Sequence, residues 1–473
     1  LLKKLIKGLP KKIGSIKVLG LATHSQKVKK GYIFFAIRGH NSNGEKFINE
    51  AIINGAIAII CSKKCKYKSV NTPVLKTADI RFFLSEIASK FYYLKPKNII
   101  AVTGTNGKTS VADLFYQILD INKINVASIG TLGIKFKNKI IKSDLTSPDT
   151  ILLHQTLQKI KKNKIDNVII ETSSHGLDQK RVDHLNFKAG IFTNFSQDHL
   201  DYHKSMKKYL NAKLYLFKKI ISEKKFIISD KSIKEFSDLK KISSKRNLCL
   251  IDINQIKKKL INLNLKLNNF QMINLSMAVA AARICNLNEK QIINTIPKLK
   301  NVDGRLELVK TFPNNIKVFV DFAHTPDALY KSIKALKNSF GENISLVFGC
   351  GGNRDIKKRP LMAKIASSSC KKIYVTDDNP RNEKPEKIRE QLIRNINNNN
   401  CFNIADRSKA IKTSIINASP NEVILVAGKG HESKQIYKNK VIVISDKKII
   451  KRLQLKIKKI SFKEQDFLQN KKI

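Results

Sequence analysis

The chain contains 473 residues, which exceeds one ordinary domain and predicts two or three. Hydrophobic residues make up 42% of it, but no apolar run approaches the ~20 residues of a membrane-spanning helix, so no membrane partner is expected. The net charge of +53 would suit a nucleic-acid-binding protein, yet Lys, Asn and Ile are over-used together everywhere, and aromatic residues are not interleaved with the basic runs as stacking platforms. We therefore expect no specific nucleic-acid partner, although the charge would attract an anionic substrate.

The N-terminus and the cysteines favour a cytoplasmic protein. The first eight residues are basic but carry no long apolar segment, so they do not read as a signal peptide. Seven cysteines are scattered along the chain, and the close pair Cys61 and Cys65 has no second pair to complete a zinc site. An odd, dispersed set of cysteines is typical of reduced thiols.

The first part of the chain alternates short strands and helices. Apolar runs predict strands over 31–37 and 56–60, with a helix over 47–54 between them. Pro96 then interrupts a helical pattern and marks a linker. We therefore expect an N-terminal domain over residues 1–97.

The most informative segment is 101–109, AVTGTNGKT, which follows a strand-like run and precedes a helical pattern over 110–115. This is the layout of a phosphate-binding loop, because the N–H groups of the turn and of the helix N-terminus point at the same spot. Lys108 would reach the β- and γ-phosphates of ATP, and the Thr109 hydroxyl would bind Mg²⁺. The general pattern has glycine where this chain has Val102, so an ordinary structural turn is the alternative reading.

Polar clusters follow the strand candidates 99–103, 167–171 and 189–194. Ligands collect at the carboxyl ends of open parallel sheets, so Glu171 and His199 could converge on a metal beside the nucleotide. Taken alone, a glutamate at a strand end is more often a surface charge than a metal ligand. His199 alone is equally compatible with a metal ligand and with a histidine that has no functional role. Lys213 has aromatic neighbours at helical spacing, Tyr209 and Phe217, which hints at partial burial.

Helix and strand patterns continue to the C-terminus. A helix rich in small residues over 275–284 closes the middle part, and strands are predicted over 318–321, 345–349, 373–376 and 423–426. The predicted fold class is α/β with three domains: 1–97, a central P-loop-type parallel-sheet domain over 98–304, and a Rossmann-like C-terminal domain over 305–473.

In order and spacing, several segments of this chain resemble the Mur ligase family: 103–109, 171–176, 193–203, 212–213, 302–307, 321–329, 348–355 and 427–432. The family's loop has a shorter Gly-x-x-Gly-Lys-Thr form, which accounts for Val102. The resemblance implies a cytoplasmic, ATP- and Mg²⁺-dependent amide ligase of peptidoglycan synthesis. It would add meso-diaminopimelate to UDP-N-acetylmuramoyl-L-alanyl-D-glutamate through an acyl phosphate, and we expect a monomer. The rivals are a lysine-adding ligase, a folylpolyglutamate synthetase-like ligase, and a degenerate ligase fold that binds nucleic acid.

The resemblance also implies the site residues. Those expected to contact ATP are Gly104, Thr105, Asn106, Gly107, Lys108, Thr109, Asn274, Arg305 and Asp321. Those expected to act in catalysis are Lys108, His199 and Lys213, and those expected at the metal are Thr109, Glu171, His199 and a carbamylated Lys213. The UDP-muramoyl-peptide would contact Ser25, His40, Asn41, Thr146, Ser147, Ser173, Gln179 and Arg181. Diaminopimelate would contact Asp378, Asn379, Pro380, Arg381, Gly428 and Glu432.

Two departures from the family pattern affect these expectations. The family usually has Asp-Ser-Arg where this chain has His24-Ser25-Gln26, so the flanking charges of the uridine segment are lost. Gln197 likewise replaces the usual arginine before Asp198 and His199. UDP binding by the first domain is therefore a firmer expectation than the role of any single residue in it.

Overall fold

The structure is a computed structural model, and it describes residues 1–39, 42–137, 139–142, 145–397 and 399–454. The chain divides into two compact units, Leu1–Val302 and Asp303–Ile473. The first unit contains a four-stranded and an eight-stranded sheet, and the second contains a six-stranded sheet and a two-stranded ribbon. Within the described ranges, no helix combines the length and apolar character needed to cross a membrane. The predicted α/β class with three domains is confirmed, while the boundaries after residues 97 and 304 remain predictions.

The first sheet has the order β1-β2-β3-β4, and all its strands are parallel. Its strands are β1 (Gly20–Ala22), β2 (Tyr32–Phe35), β3 (Ala56–Ser62) and β4 (Val74–Thr77). Its helices are α1 (Leu2–Leu5), α2 (Lys11–Gly14), α3 (Ile48–Ile53) and α4 (Ile80–Phe91), with 3₁₀ turns at Ser25–Lys27 and Gly44–Phe47. Apolar residues on both faces of β2 and β3 are buried, as expected for a parallel sheet covered on two sides.

The second sheet has the order β12-β11-β10-β5-β9-β6-β7-β8. Its strands are β5 (Asn98–Thr103), β6 (Val126–Gly130), β7 (Gly133–Phe136), β8 (Lys139–Ile141), β9 (Asn167–Glu171), β10 (Phe187–Phe192), β11 (Phe226–Ser229) and β12 (Cys249–Asp252). The strands from β12 to β6 are parallel, and β7 and β8 extend the sheet as antiparallel strands. Because β5 lies between β10 and β9, the polar residues that follow these three strands meet at one edge of the sheet.

The helices of this part cover both faces of the eight-stranded sheet. They are α5 (Lys108–Ile121), α6 (Thr150–Lys162), α7 (Ser174–Asp178), α8 (Leu200–His203), α9 (Met206–Tyr215), α10 (Phe236–Lys245), α11 (Asn254–Ile261), α12 (Asn269–Ile284) and α13 (Glu289–Thr295), with a π turn at Leu216–Ile220 and a 3₁₀ turn at Ile296–Lys298. Helix α12 begins earlier than the predicted 275–284 because Asn268 and Gln271 form a capping box at its N-terminus.

The second unit has a six-stranded sheet of order β13-β14-β18-β15-β16-β17, in which only the β13–β14 pair is antiparallel. Its strands are β13 (Glu307–Phe312), β14 (Ile316–Asp321), β15 (Ile344–Phe348), β16 (Lys372–Val375), β17 (Cys401–Asn403) and β18 (Val423–Ala427), and the ribbon pairs β19 (Lys434–Ile436) with β20 (Val441–Val443). The helices are α14 (Pro326–Phe340), α15 (Lys358–Ser369), α16 (Pro385–Ile393), α17 (Arg407–Ile416) and α18 (Asp446–Arg452), with a 3₁₀ turn at Pro313–Asn315.

A fully buried ion pair joins α17 to α18. Arg407 Nε and Nη2 donate to the two carboxylate oxygens of Asp446 at 2.8 Å each, and both side chains are completely buried. We expect Arg407→Met to lower the free energy of unfolding by about 3–5 kcal/mol, because it leaves a buried carboxylate without its counter-charge. Arg394→Met, which removes an exposed pair with Glu390, is the control and should change it by less than about 1 kcal/mol. Urea denaturation of both variants measures the difference, and equal effects would contradict the prediction.

Candidate active site

The loop between β5 and α5 has the geometry of a phosphate-binding loop. Gly104 and Gly107 have φ angles of 138° and 87°, a region that L side chains rarely adopt. A Cβ atom on Gly104 would lie 1.9 Å from Thr193 Oγ1, so the close approach of the β10 end also requires glycine. The Lys108 ammonium donates to the carbonyl oxygens of Gly104 at 2.9 Å and Thr105 at 2.8 Å. The loop therefore presents its lysine beside the N-terminus of α5.

Residues after β10 fix this loop. Thr193 Oγ1 donates to the Asn106 carbonyl at 2.6 Å. The Asn194 carboxamide accepts from Asn106 N at 2.9 Å and donates to Asn106 O at 3.0 Å. On the α12 side, a Cβ atom on Gly107 would lie 2.6 Å from Asn274 Oδ1, so the predicted nucleotide residue Asn274 is in contact with the loop. The loop is thus held from two sides before any ligand binds.

Glu171, at the end of β9, is buried and joins two threonine hydroxyls. Its Oε2 atom accepts from Thr109 Oγ1 and from Thr131 Oγ1, both at 3.0 Å, and its Oε1 atom accepts from Thr131 N at 2.8 Å. The predicted metal residues Thr109 and Glu171 are therefore brought together. Thr131 was not predicted, although its position directly after β6 is a strand end of the same kind.

Lys213, on α9, is buried against the phosphate-binding loop rather than solvated. Its Nζ atom donates at 2.6 Å to the Gly104 carbonyl, the oxygen that Lys108 also contacts, and the residue is 1% exposed. Burial, reinforced by the positive charge of Lys108, holds the pKa of Lys213 well below its usual value. The lowered pKa favours the neutral amine, which is the form that can attack carbon dioxide.

His199 lies close enough to Lys213 and Lys108 for their charges to affect its pKa. Its Nε2 atom is 3.3 Å from Asp198 Oδ2, and its ring is edge-on to the His175 ring with centroids 4.8 Å apart. Burial lowers the pKa of His199 to about 2, so the imidazole is neutral. Its Nδ1 atom is buried and has no hydrogen-bond partner within the described ranges, as suits a metal ligand.

The protein atoms here do not by themselves make a closed metal cage. Among the described residues, no group of three or more His, Cys, Asp or Glu side chains could hold a metal ion. Mg²⁺ is commonly bound by one or two carboxylates together with waters and substrate phosphates, so Glu171 and Thr109 beside a phosphate loop fit that ion.

Five of the predicted muramoyl-peptide residues form one hydrogen-bonded chain next to Glu171: Thr146, Ser147, Ser173, Gln179 and Arg181. Ser147 Oγ donates to the Glu171 carbonyl at 2.8 Å and accepts from Ser173 N at 2.9 Å. Arg181 donates to Ser147 O at 2.7 Å and to Gln179 Oε1 at 2.6 Å, and Thr146 accepts from Thr131 at 3.3 Å. These five residues therefore lie in one continuous network with Thr131 and Glu171.

A cleft of about 400 Å³ extends from this network to the first sheet. Its polar lining includes His24, Ser25, Gln26, Arg81, Asp149, Gln179 and Arg181, and its apolar lining includes Phe34, Ile37, Phe47 and Leu84. The predicted uridine residue Ser25 thus shares a cleft with Gln179 and Arg181, whereas His40 and Asn41 lie outside the described residues. Arg81 was not predicted, because one arginine in so basic a chain carries no sequence signal.

In the second unit, Arg305 and Asp321 lie close together. The Arg305 guanidinium stacks 4.5 Å from the Phe322 ring centroid and is 3.5 Å from His431 Nδ1. Burial raises the pKa of Asp321, and the neighbouring Ser332 hydroxyl and Arg305 charge oppose that rise. The other predicted nucleotide residues belong to the first unit.

The predicted diaminopimelate residues also converge within the second unit. Asn379 Nδ2 donates to Glu432 Oε2 at 3.1 Å, and a Cβ atom on Gly428 would lie 2.8 Å from Asp378 Oδ2. Arg381, with a φ of 53°, donates to the carbonyl oxygens of Gly352 at 2.9 Å and Asn379 at 3.2 Å. Pro380 is held against the glycine-rich turn, since a Cβ atom on Gly352 would lie 1.9 Å from its carbonyl oxygen.

Solved structures share this fold. A structure titled UDP-N-acetylmuramoyl-L-alanyl-D-glutamate--2,6-diaminopimelate ligase matches with a TM-score of 0.61 and 27% identity, covering 92% of this chain and 94% of that one. The MurF ligase from Thermotoga maritima in complex with ADP matches with a TM-score of 0.58 and 17% identity, covering 89% and 96%. Mycobacterium tuberculosis folylpolyglutamate synthase, solved with ADP and AMPPCP, matches with a TM-score of 0.59 and 15% identity, covering 74% and 92%. The last two likenesses concern the fold alone.

Curated relatives match almost the whole chain. The UDP-N-acetylmuramoyl-L-alanyl-D-glutamate--2,6-diaminopimelate ligase of Rickettsia bellii (strain RML369-C) is 38% identical, covering 91% of this chain and 95% of the relative. The ligase of the same name from Brucella melitensis biotype 1 is 33% identical, covering 92% and 94%.

The fold and the site together define an α/β protein built around a phosphate-binding loop. Three family models match it: "Mur ligase family, catalytic domain" over 17–92, "Mur ligase middle domain" over 102–296, and "Mur ligase, glutamate ligase domain" over 304–430. The chain belongs to the Mur ligase family, and it is an enzyme of the ligase class.

Proposed function

We propose that this enzyme uses ATP to join meso-diaminopimelate to UDP-N-acetylmuramoyl-L-alanyl-D-glutamate in peptidoglycan synthesis. The observation that carries the proposal is the convergence of Lys108 and the buried Lys213 on the Gly104 carbonyl, beside the Glu171 and Thr109 pair. The names of relatives 33% and 38% identical over nearly the whole chain support this choice of substrates.

The reaction has two steps. The glutamyl carboxylate attacks the γ-phosphorus of ATP, ADP leaves, and an acyl phosphate forms. The amine of diaminopimelate then attacks the acyl carbon, inorganic phosphate leaves, and a proton is lost from nitrogen. A carboxylate is a poor electrophile, so phosphorylation is what makes amide formation possible. Lys108 would stabilise the charge that develops on the transferred phosphoryl group.

Divalent metal and a carbamate belong to this proposal. Lys213 and carbon dioxide would form N-carboxylysine with loss of one proton, which converts a potential cation into an anion. Thr109, Glu171, His199 and the carbamate would hold Mg²⁺, which would neutralise phosphate charge along the transfer path. The buried, unpartnered His199 Nδ1 and the lowered pKa of the buried Lys213 amine support these assignments.

The remaining assignments follow the substrates' charges. The cleft lined by Ser25, Gln179 and Arg181 suits a nucleoside diphosphate, and the loop with Arg381 and Glu432 suits an amino acid that carries both charges at its far end. Arg305 and Asp321 remain proposed nucleotide contacts, and a cytoplasmic monomer with boundaries after residues 97 and 304 remains our expectation.

Arg81 is expected to bind the diphosphate and to replace the cation lost at Gln26. Within the described part of the chain, neither Arg81 nor Arg181 forms an ion pair, although both line the cleft. Burial, reinforced by the positive charge of Arg81, lowers the pKa of Arg181. Arg81→Gln should raise the KM for the UDP-linked substrate about tenfold, as expected when one charge-assisted contact is lost, and leave the KM for ATP unchanged. Steady-state kinetics with each substrate varied in turn measures this, with the exposed Lys68→Gln as control. A parallel rise in both constants would contradict it.

Phosphate release with the UDP-linked muramoyl dipeptide and a panel of amines tests the proposed function. We expect ATP turnover only when the muramoyl dipeptide is present, and product formation with meso-diaminopimelate. Turnover with a folate and glutamate would favour the folylpolyglutamate synthetase-like rival. The absence of any ATP turnover, together with tight duplex DNA binding at physiological salt, would favour the degenerate nucleic-acid-binding rival.

A further inference from the structure

Lys429 is a completely buried cation behind the predicted amino-acid pocket. It follows β18 and is 0% exposed. Its ammonium donates to three oxygens: Asn379 Oδ1 at 3.1 Å, Glu432 Oε2 at 2.9 Å and Lys434 O at 2.6 Å. An ammonium has three N–H donors, so these partners use all of them. Lys429 therefore has no donor left with which to bind a substrate.

These contacts decide which way the Asn379 carboxamide faces. Its Oδ1 atom receives both Lys429 Nζ and Ile436 N, the latter at 3.0 Å. Both partners are donors only, so the atom between them must be oxygen, and the amide nitrogen must face Glu432. Without the lysine, the Asn379 Oδ1 atom would keep only the backbone donor of Ile436.

The same contacts orient the Glu432 carboxylate. Its Oε2 atom accepts from Lys429 and from Asn379 Nδ2, at 2.9 and 3.1 Å. Within the described part of the chain, its Oε1 atom accepts no hydrogen bond. The Glu432 side chain is 35% exposed whereas that of Lys429 is not exposed at all, so one carboxylate oxygen is held from behind and the group faces outward.

Lys429 also joins three separate segments. Its contacts connect the loop at Asn379, the turn at Glu432 and the start of β19 at Lys434. The ribbon adds its own bond to the loop, because Arg381 N donates to Ile436 O at 2.9 Å. Lys429 thus holds Glu432 directly, and it is linked to the loop that carries Arg381 through Asn379 and the ribbon.

We infer that Lys429 is a positioning and specificity-determining residue, which holds Glu432 and Asn379 in the arrangement that receives the distal ammonium of diaminopimelate. The inference rests on the proposed function. It assigns Lys429 no contact with substrate, cofactor or the reacting atoms. Removing it would leave a carboxylate and an amide oxygen without their buried donor, and both groups could then turn.

Steady-state kinetics of Lys429→Met tests this assignment. We expect the KM for meso-diaminopimelate to rise about 10- to 100-fold, while the KM values for ATP and the UDP-linked muramoyl dipeptide stay within about twofold. In a Glu432→Gln background, Lys429→Met should have little further effect, because the group it positions is already altered. Lys438→Met, an exposed lysine of the same ribbon, is the matched control and should leave all three constants unchanged.

The outcomes separate this inference from the proposed function. The positioning role alone would be overturned if the unmodified enzyme prefers diaminopimelate and Lys429→Met leaves the KM for diaminopimelate unchanged. An equal rise in all three KM values, or effects of Lys429→Met and Glu432→Gln that multiply, would do the same and indicate a structural role. An unmodified enzyme that makes no product with diaminopimelate would overturn both. If Lys429→Met does not fold, Lys429→Gln decides the matter, with a rise confined to the diaminopimelate KM as the expected result.

Discussion

Lys213→Ala is expected to lower kcat by about 10²–10³-fold, the range seen when one preorganised electrostatic group is removed from a phosphoryl- or acyl-transfer site. The variant loses the amine that would form a carbamate, so no anion can develop beside Lys108 and Glu171. The burial of Lys213 matters because it lowers the pKa of the amine and so favours the neutral form, which can take up carbon dioxide. Phosphate release under saturating substrates measures the loss.

Rescue experiments separate a carbamate from a merely structural lysine. High bicarbonate should not restore Lys213→Ala, whereas a small added carboxylic acid should restore part of the activity by filling the space with a carboxylate. The exposed Lys207 lies on the same helix, and Lys207→Ala should retain normal turnover. Near-normal kcat in purified Lys213→Ala would remove the proposed role.

The unmodified enzyme is expected to prefer meso-diaminopimelate over lysine by about 10⁴-fold in kcat/KM, as for sites built around hydrogen bonds to a distinguishing group. The two amines share a side-chain amine, but only diaminopimelate carries a carboxylate beside it. Arg381 is held by the carbonyls of Gly352 and Asn379, so its guanidinium is positioned before substrate arrives. Glu432 would accept from the distal ammonium.

Arg381→Ala should lose most of that preference by failing on diaminopimelate, without a required gain in lysine activity. Competition kinetics with both amines measures the ratio directly. Arg394→Ala, which removes an exposed arginine of the same unit, should keep the full preference. Equal use of lysine by the unmodified enzyme would instead assign this chain to the lysine-adding branch.

Sequence reasoning found the strands that carry the site because each is a short, buried apolar run followed by polar residues. Predicted strand 167–171 coincides with β9, and Glu171 lies at its end. The predicted strand 189–194 ends at Phe192 instead, because Thr193 and Asn194 turn toward the loop to bond Asn106. Periodicity identifies which residues are buried in a sheet, but not where side-chain bonding to the backbone ends a strand.

Contacts between distant segments could not be predicted in the same way. Thr131 joins Glu171 from 40 positions away, and Ile436 contacts Asn379 from 57 positions away. The short ribbon of β19 and β20 has exposed apolar residues and only three residues a strand, so its pattern was too weak to read. Arg81 was hidden for a different reason, since 90 lysines and arginines make any one of them uninformative.

That abundance makes solvent access, rather than residue type, the informative property of a lysine in this chain. Of the lysines whose surroundings the structure describes, Lys213, Lys358 and Lys429 are the buried ones, at 1%, 5% and 0% exposure. A surface lysine can be gained or lost with little energetic consequence, whereas a buried one persists only where specific acceptors or chemistry retain it. In a chain with so biased a composition, the position of a lysine in the interior therefore indicates a role that its residue type alone does not.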